Sequence, residues 1–199
     1  MLVDAISTFG AYPVNYPCDH LAGSANKCIE GVPGFAFVIS RRAAMEEASG
    51  RARSLCLDLH AQWKAFEETG KFRFTPPTHV LLAFRQALRE LATEGGIRAR
   101  ARRYARNRDT LIRGMAKLGF QPFLAPEHRS HIITTFRYPR LDFDFRKFYA
   151  QLKELGYIIY PGKLTQADTF RVGTIGSIGT REISGFLKAV ARTVKREGR

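Results

Sequence analysis

A lysine and an aspartate stand where this sequence is most readable as chemistry. Lys27 lies in Ser24-Ala25-Asn26-Lys27-Cys28-Ile29-Glu30-Gly31-Val32-Pro33-Gly34, between the short apolar run Leu21-Ala22 and a turn rich in glycine and proline. That placement predicts a strand end facing a cleft. Asp4 closes another short apolar run, Leu2-Val3-Asp4-Ala5. An amine and a carboxylate, each at the end of a buried strand, suit pyridoxal phosphate. The amine forms an imine with the aldehyde, and the carboxylate keeps the pyridinium nitrogen protonated, so that the ring acts as an electron sink. Spacing leaves a plain alternative open, because a lone strand-end lysine is commonly a solvated charge.

The surrounding residues narrow the choice. Asp4-Ala5-Ile6-Ser7-Thr8-Phe9-Gly10 and the segment from Ser24 to Phe35 resemble the cofactor segments of the 2-aminoethylphosphonate–pyruvate aminotransferases. These belong to the alanine–glyoxylate aminotransferase group of fold-type I pyridoxal phosphate enzymes. The resemblance continues in order through Arg73-Phe74-Thr75-Pro76-Pro77-Thr78-His79, Ile159-Tyr160-Pro161-Gly162-Lys163 and Phe170-Arg171-Val172-Gly173-Thr174-Ile175-Gly176. It implies an α/β fold: a partial large-domain sheet followed by a small α/β sandwich domain, the C-terminal part of such an enzyme.

The resemblance also implies roles. Lys27 holds the cofactor and carries a proton between substrate Cα and cofactor. Asp4 pairs with the pyridinium, and Ser24 reaches the cofactor phosphate. Thr75 reaches into the site of a neighbouring subunit of a homodimer. Arg171 grips the substrate carboxylate or phosphonate, a task that suits its planar fork. The substrates implied are 2-aminoethylphosphonate and pyruvate, which would place the protein in phosphonate catabolism. An alanine–glyoxylate or serine–pyruvate aminotransferase is the rival within the group. A non-catalytic remnant or interaction module is the rival outside it. The family's Gly/Ser/Thr-rich phosphate turn and its stacking ring lie upstream of the matched region, so the chain is expected to be an N-terminally truncated form with impaired activity.

The bulk properties fit a globular protein. The chain has 199 residues, of which 45% are hydrophobic, enough for a sizeable core. No run approaches the length of a membrane span, and no signal peptide is recognisable. The expectation is a cytoplasmic protein that does not engage membranes. Cys18, Cys28 and Cys56 fit neither a disulfide framework nor a zinc site. Cys28 reads as a packing residue. The histidines show no metal-ligand pattern.

A net charge of +14 needs a source. Arg98, Arg100, Arg102, Arg103, Arg106, Arg108 and Arg113 supply much of it. Ile97, Ala101, Tyr104, Leu111, Ile112, Met115 and Leu118 recur at helical spacing through the same stretch, which predicts an amphipathic helix with an arginine-rich solvated face. No nucleic-acid motif accompanies it, so nucleic acid is not the expected partner.

Gly95-Gly96 divides the chain into an expected 1–95 remnant of the cofactor-binding domain and a 96–199 small domain. Strands are expected at 2–4, 21–24, 35–39, 132–136, 157–160 and 169–172. The run at 35–39 is apolar throughout, like a strand buried on both faces. Helices are expected at 41–48 and 57–68. Others start at Thr78, Asp144 and Thr180, each read as an N-cap.

Overall fold

In the computed structural model, residues 1–15, 17–162 and 167–197 are described. Lys163, within the fourth matching segment, falls outside them. The chain forms two compact units, Met1–Arg98 and Ala99–Arg199.

The first unit holds a three-stranded sheet in the order β1 (Leu2–Asp4), β2 (His20–Ser24), β3 (Ala36–Ser40). β1 and β2 run parallel, with Asp4 beside Ala22. β2 and β3 are antiparallel, with Ser24 beside Ala36. β3 is not buried on both faces. It is an edge strand, and Ile39 is 53% exposed. Its inward contribution is aromatic: Phe37 meets Phe9 edge-on at 5.1 Å, and Phe35 meets Phe84 at 5.0 Å.

Three helices follow. α1 (Arg42–Glu47) is short. α2 (Leu59–Thr69) starts at Asp58, whose side chain accepts the Ala61 N–H. α3 (Thr78–Glu94) has Pro77 at its N-cap position and no side-chain cap, so Thr78 is the first helical residue rather than the cap. The two prolines set the entry without help from the hydroxyl. Gly95 ends α3 with a φ of 104°. The small core of this unit joins Ile29, Ala87 and Leu91, with Phe9 and Phe84 packed against them.

The second unit is a sheet in the order β4 (Ile133–Arg137), β6 (Thr169–Gly173), β5 (Tyr160–Pro161), antiparallel throughout. Phe136, Phe170 and Val172 turn one face of it into a core with Leu111 and Met115 of α4 (Gly96–Lys117), Phe148 and Leu152 of α5 (Phe145–Glu154), and Ile183, Phe186 and Val190 of α6 (Thr180–Glu197). Phe120, Phe136, Phe148 and Phe170 are fully buried, and each such burial contributes about 1.5–3 kcal/mol. Asp144 caps α5 by accepting the Lys147 N–H, as the sequence predicts. Thr180 does not cap α6. The Glu182 carboxylate instead reaches back to the Gly179 N–H, half of a capping box. β5 is only two residues long, and 157–159 lie outside it.

α4 differs from its expected face. Its buried residues are Arg100, Tyr104, Asn107, Leu111 and Met115, so Arg100 and Asn107 take places assigned to apolar side chains, and Ile97 is exposed. Arg103 also turns inward. Its Nη1 donates to the carbonyls of Gly176 and Ile178, and Asn107 Nδ2 donates to Ile178 as well. A guanidinium half-withdrawn from water is stabilised by such carbonyls. Arg98, Arg102, Arg106 and Arg113 do form the exposed face. No helix among the described residues is long and apolar enough to cross a membrane.

His131 precedes β4 and sits 2.7 Å from Arg108 Nη1 through its Nδ1. Burial first, and the Arg108 guanidinium second, hold its imidazole below the ordinary histidine value. The folded chain therefore takes up this proton less readily than the unfolded chain. The associated stability is present in full above about pH 6.5 and is lost as pH falls from there through the folded-state value. Thermal melts from pH 7.5 to pH 5.5 are expected to show a falling midpoint, with a smaller fall in His131→Gln; identical slopes for both proteins would reject the assignment.

Candidate active site

Parallel pairing decides the geometry of the first unit's site. Because β1 and β2 point the same way, Asp4 and the residues after Ser24 emerge at one carboxyl end of the sheet. Open α/β sheets bind ligands outside that end. Asp4 is exposed, and one carboxylate oxygen accepts the Ile6 N–H at 2.9 Å. The other oxygen has no partner among the described residues.

Lys27 is exposed on the turn that follows β2. The turn is tightly closed around it. Gly31 N–H donates to the Ala25 carbonyl at 2.8 Å, Glu30 N–H donates to Lys27 at 2.9 Å, and Ala25 N–H bonds the Phe35 carbonyl. Glu30 adopts a left-handed φ of 65°, unusual for a residue with a Cβ. Ala25, Cys28 and Ile29 are buried beneath the turn. The Cys28 thiol is directed to the Ser7 carbonyl at 3.1 Å, linking the two cofactor-like segments. The lysine is thus a mobile amine on a fixed base.

Ser24 is buried at the end of β2, and its hydroxyl donates to Asn26 Oδ1 at 2.6 Å. A hydroxyl carries one proton, so Ser24 in this arrangement has no donor left for an anion. The Asn26 amide nitrogen, beside Lys27, carries two. Sequence reading passed over Asn26 as a functional group. The small polar residue immediately before the lysine was the available signal.

Thr75 lies elsewhere in the unit. It is exposed on the loop before α3, directly after Phe74 and three residues after Phe72, themselves 50% and 45% exposed. Arg171 lies in the second unit, half-buried on β6. It pairs with Thr135 on one side and Tyr160 on the other. Its Nε donates to the Pro161 carbonyl at 3.2 Å, and its guanidinium stands 5.8 Å from the Tyr160 ring centroid. No carboxylate pairs with it among the described residues, so the structural ion pair that a strand arginine would otherwise need is not made there. No group of His, Cys, Asp or Glu among the described residues could hold a metal ion.

These features can be set beside known proteins. Across the chain, the backbone matches that of a ureidoglycine–glyoxylate aminotransferase from Bacillus subtilis, with a TM-score of 0.87, 21% identity, and coverage of 100% of this chain and 53% of that one. It also matches a phosphoserine aminotransferase from Trichomonas vaginalis solved with pyridoxal phosphate bound, with a TM-score of 0.77, 17% identity, and coverage of 96% and 53%. The fold is that of the fold-type I pyridoxal phosphate aminotransferases. In sequence the chain is 53% identical over 196 residues to a 2-aminoethylphosphonate–pyruvate transaminase from Aeromonas hydrophila, covering 96% of this chain and 52% of the relative. It is 49% identical over 199 residues to the one from Phocaeicola vulgatus, covering 98% and 55%. The chain is thus about half identical, over nearly its whole length, to curated 2-aminoethylphosphonate–pyruvate transaminases, and it spans about half the length of these relatives. No protein-family model matches it.

A methyl group at Gly31 would stand 2.8 Å from the Ala25 carbonyl oxygen that the same residue's N–H bonds. Gly31→Ala is expected to open the turn under Lys27 and destabilise the first unit by about 1–3 kcal/mol, read by urea unfolding. Unchanged stability together with an unchanged Gly31 region in amide exchange would show that the closure is not needed.

Proposed function

We propose that this chain serves a pyridoxal phosphate-dependent transamination in which the amino group of 2-aminoethylphosphonate passes to pyruvate, giving phosphonoacetaldehyde and alanine. The observation that carries the reading is the shared carboxyl end of β1 and β2, with Asp4 on one strand end and Lys27 on the closed turn after the other. About 50% identity to transaminases named for this pair of substrates supports the phosphonate over a glyoxylate or serine partner.

The residues present fit the cofactor by the chemistry of their groups. Lys27 offers an accessible amine for an aldehyde, Asp4 an oxygen for a pyridinium N–H, and Asn26 two amide donors for a phosphate. Bound pyridoxal phosphate supplies an electron sink for the carbanion left when Cα loses its proton. Lys27 is the base that would take up that proton and carry it from the substrate carbon to the cofactor side. Asp4 holds positive charge on the ring nitrogen. Ser24 orients the Asn26 amide and leaves its nitrogen to face the anion. Arg171 binds the phosphonate of one substrate and the carboxylate of the other.

Thr75 completes the reading as a hydroxyl offered to a second copy in a homodimer. The exposed Leu55, Leu57, Phe72 and Phe74 near it in sequence support a surface that another subunit covers. The setting inferred is the cytoplasm.

Incubation with pyridoxal phosphate followed by borohydride reduction is expected to fix the cofactor on Lys27, read by peptide mass spectrometry, and Lys27→Ala is expected to remove that label. Preferential labelling of a different lysine would reject the assignment. In the protein that carries this chain, Asp4→Asn should slow proton abstraction by orders of magnitude with cofactor still bound. Arg171→Lys should raise KM for both anionic substrates and leave cofactor affinity unchanged. A preference for an α-amino acid over 2-aminoethylphosphonate as donor would reject the substrate.

A further inference from the structure

Arg171 is not merely present on its strand; its orientation is set by two neighbours on β5. The Nε–H donates to the Pro161 carbonyl at 3.2 Å, and the guanidinium lies 5.8 Å from the centroid of Tyr160, its cross-strand partner. A guanidinium can bind an anion through two edges. One uses Nε–H and one terminal nitrogen, and the other uses the two terminal nitrogens. The Pro161 carbonyl occupies the first edge. Only the end-on fork, Nη1–H with Nη2–H, remains for a ligand.

The platform beneath is built for close approach. Gly162 follows Pro161, and its N–H bonds the Thr169 carbonyl at 2.9 Å. A Cβ there would stand 2.3 Å from both the Thr169 carbonyl oxygen and its hydroxyl. A side chain at 162 would push β5 off β6 and carry Tyr160 and the Pro161 carbonyl away from Arg171. Glycine at this position therefore serves the arginine two residues along the neighbouring strand.

We infer that Tyr160, with the Pro161 carbonyl, is a positioning residue that restricts Arg171 to end-on recognition of two anionic oxygens, whether on a carboxylate or on a phosphonate. The inference rests on the reading of Arg171 as the anion-binding group. It deepens that reading, because the proposed reaction needs one arginine to take two differently shaped anions in turn. A carboxylate fills the fork with both of its oxygens. A phosphonate fills it with two of three, and the third lies beyond the fork, where it neither clashes nor is required. Side-on binding would compete with the Pro161 carbonyl for the Nε proton.

The test uses the 199-residue chain labelled with nitrogen-15, with acetate and methylphosphonate as probes. In the unsubstituted chain the Arg171 Nε–H signal, assigned by its loss in Arg171→Lys, is expected to be resolved and slow to exchange with water. Both probes should shift the Nη signals and leave Nε bonded. Tyr160→Ala should release the Nε–H into fast exchange and weaken both probes by a similar factor, roughly three- to fivefold. Tyr160→Phe keeps the ring and should preserve both properties, which a general unfolding of β5 would not. A fast-exchanging Nε–H in the unsubstituted chain, or equal probe affinity in Tyr160→Ala, overturns the inference. A protected, Tyr160-dependent Nε–H with no response of Nη to either probe overturns Arg171 as the anion site instead, so the two failures are distinguishable.

Discussion

The parallel pairing of two very short strands is the constraint on which the first unit's chemistry rests. β1 has three residues and β2 has five, and a sheet of this size has little stability of its own. What the pairing supplies is direction. Both strands deliver their polar residues to one end, and an antiparallel arrangement would have sent Asp4 and Lys27 to opposite ends. The turn after β2 is then locked by the Gly31 to Ala25 hydrogen bond, and buried Ile29 anchors it in the small apolar core. The cost of holding Glu30 in a left-handed conformation is borne by that packing. A long side chain on a closed turn suits the role proposed for Lys27, an amine that would first bond a carbonyl and then move a proton.

The second unit solves a different problem. Its sheet is antiparallel, one face is packed with phenylalanines, and β6 runs between two partners. A central strand is the stiffest place in such a sheet, so an arginine on it is fixed in backbone while its head group is steered by the edge strand. Arg103 and Asn107 of α4 hold the loop at 174–179 through its carbonyls, and Thr174 bonds the His131 carbonyl. The β6-to-α6 connection is therefore tied down by side chains of α4 and by its own Thr174 hydroxyl.

Much of this is legible in the order of the residues. Five of the six strand positions, the Asp144 cap and the glycine stop after α3 follow from residue type and local spacing. What stayed hidden depends on partners far away in sequence. Arg100 and Asn107 look like solvated residues by type, yet occupy the buried stripe of α4, where Asn107 bonds a loop about 70 residues onward. β3 reads as doubly buried because its composition is apolar, but its place at a sheet edge leaves Ile39 in water. Ser24 reads as an anion donor until its proton is seen bonded to Asn26. Thr78 and Thr180 have the right type for caps, yet each stands as the first residue inside its helix.

The two-residue length of β5 sets a thermal hierarchy within the second unit. Short edge strands are among the first elements to open in a folded protein, well below the free energy of global unfolding. Tyr160 and the Pro161 carbonyl ride on that strand, whereas Arg171 rides on the central one. Fraying at the edge would free the guanidinium while leaving the phenylalanine core intact. The head group would then sample many orientations, and the entropy of re-ordering it would fall on each anion that arrives. On the proposed reading of Arg171, the orientation of its head group is consequently set by a two-residue strand, and would fade on warming before the fold itself is lost.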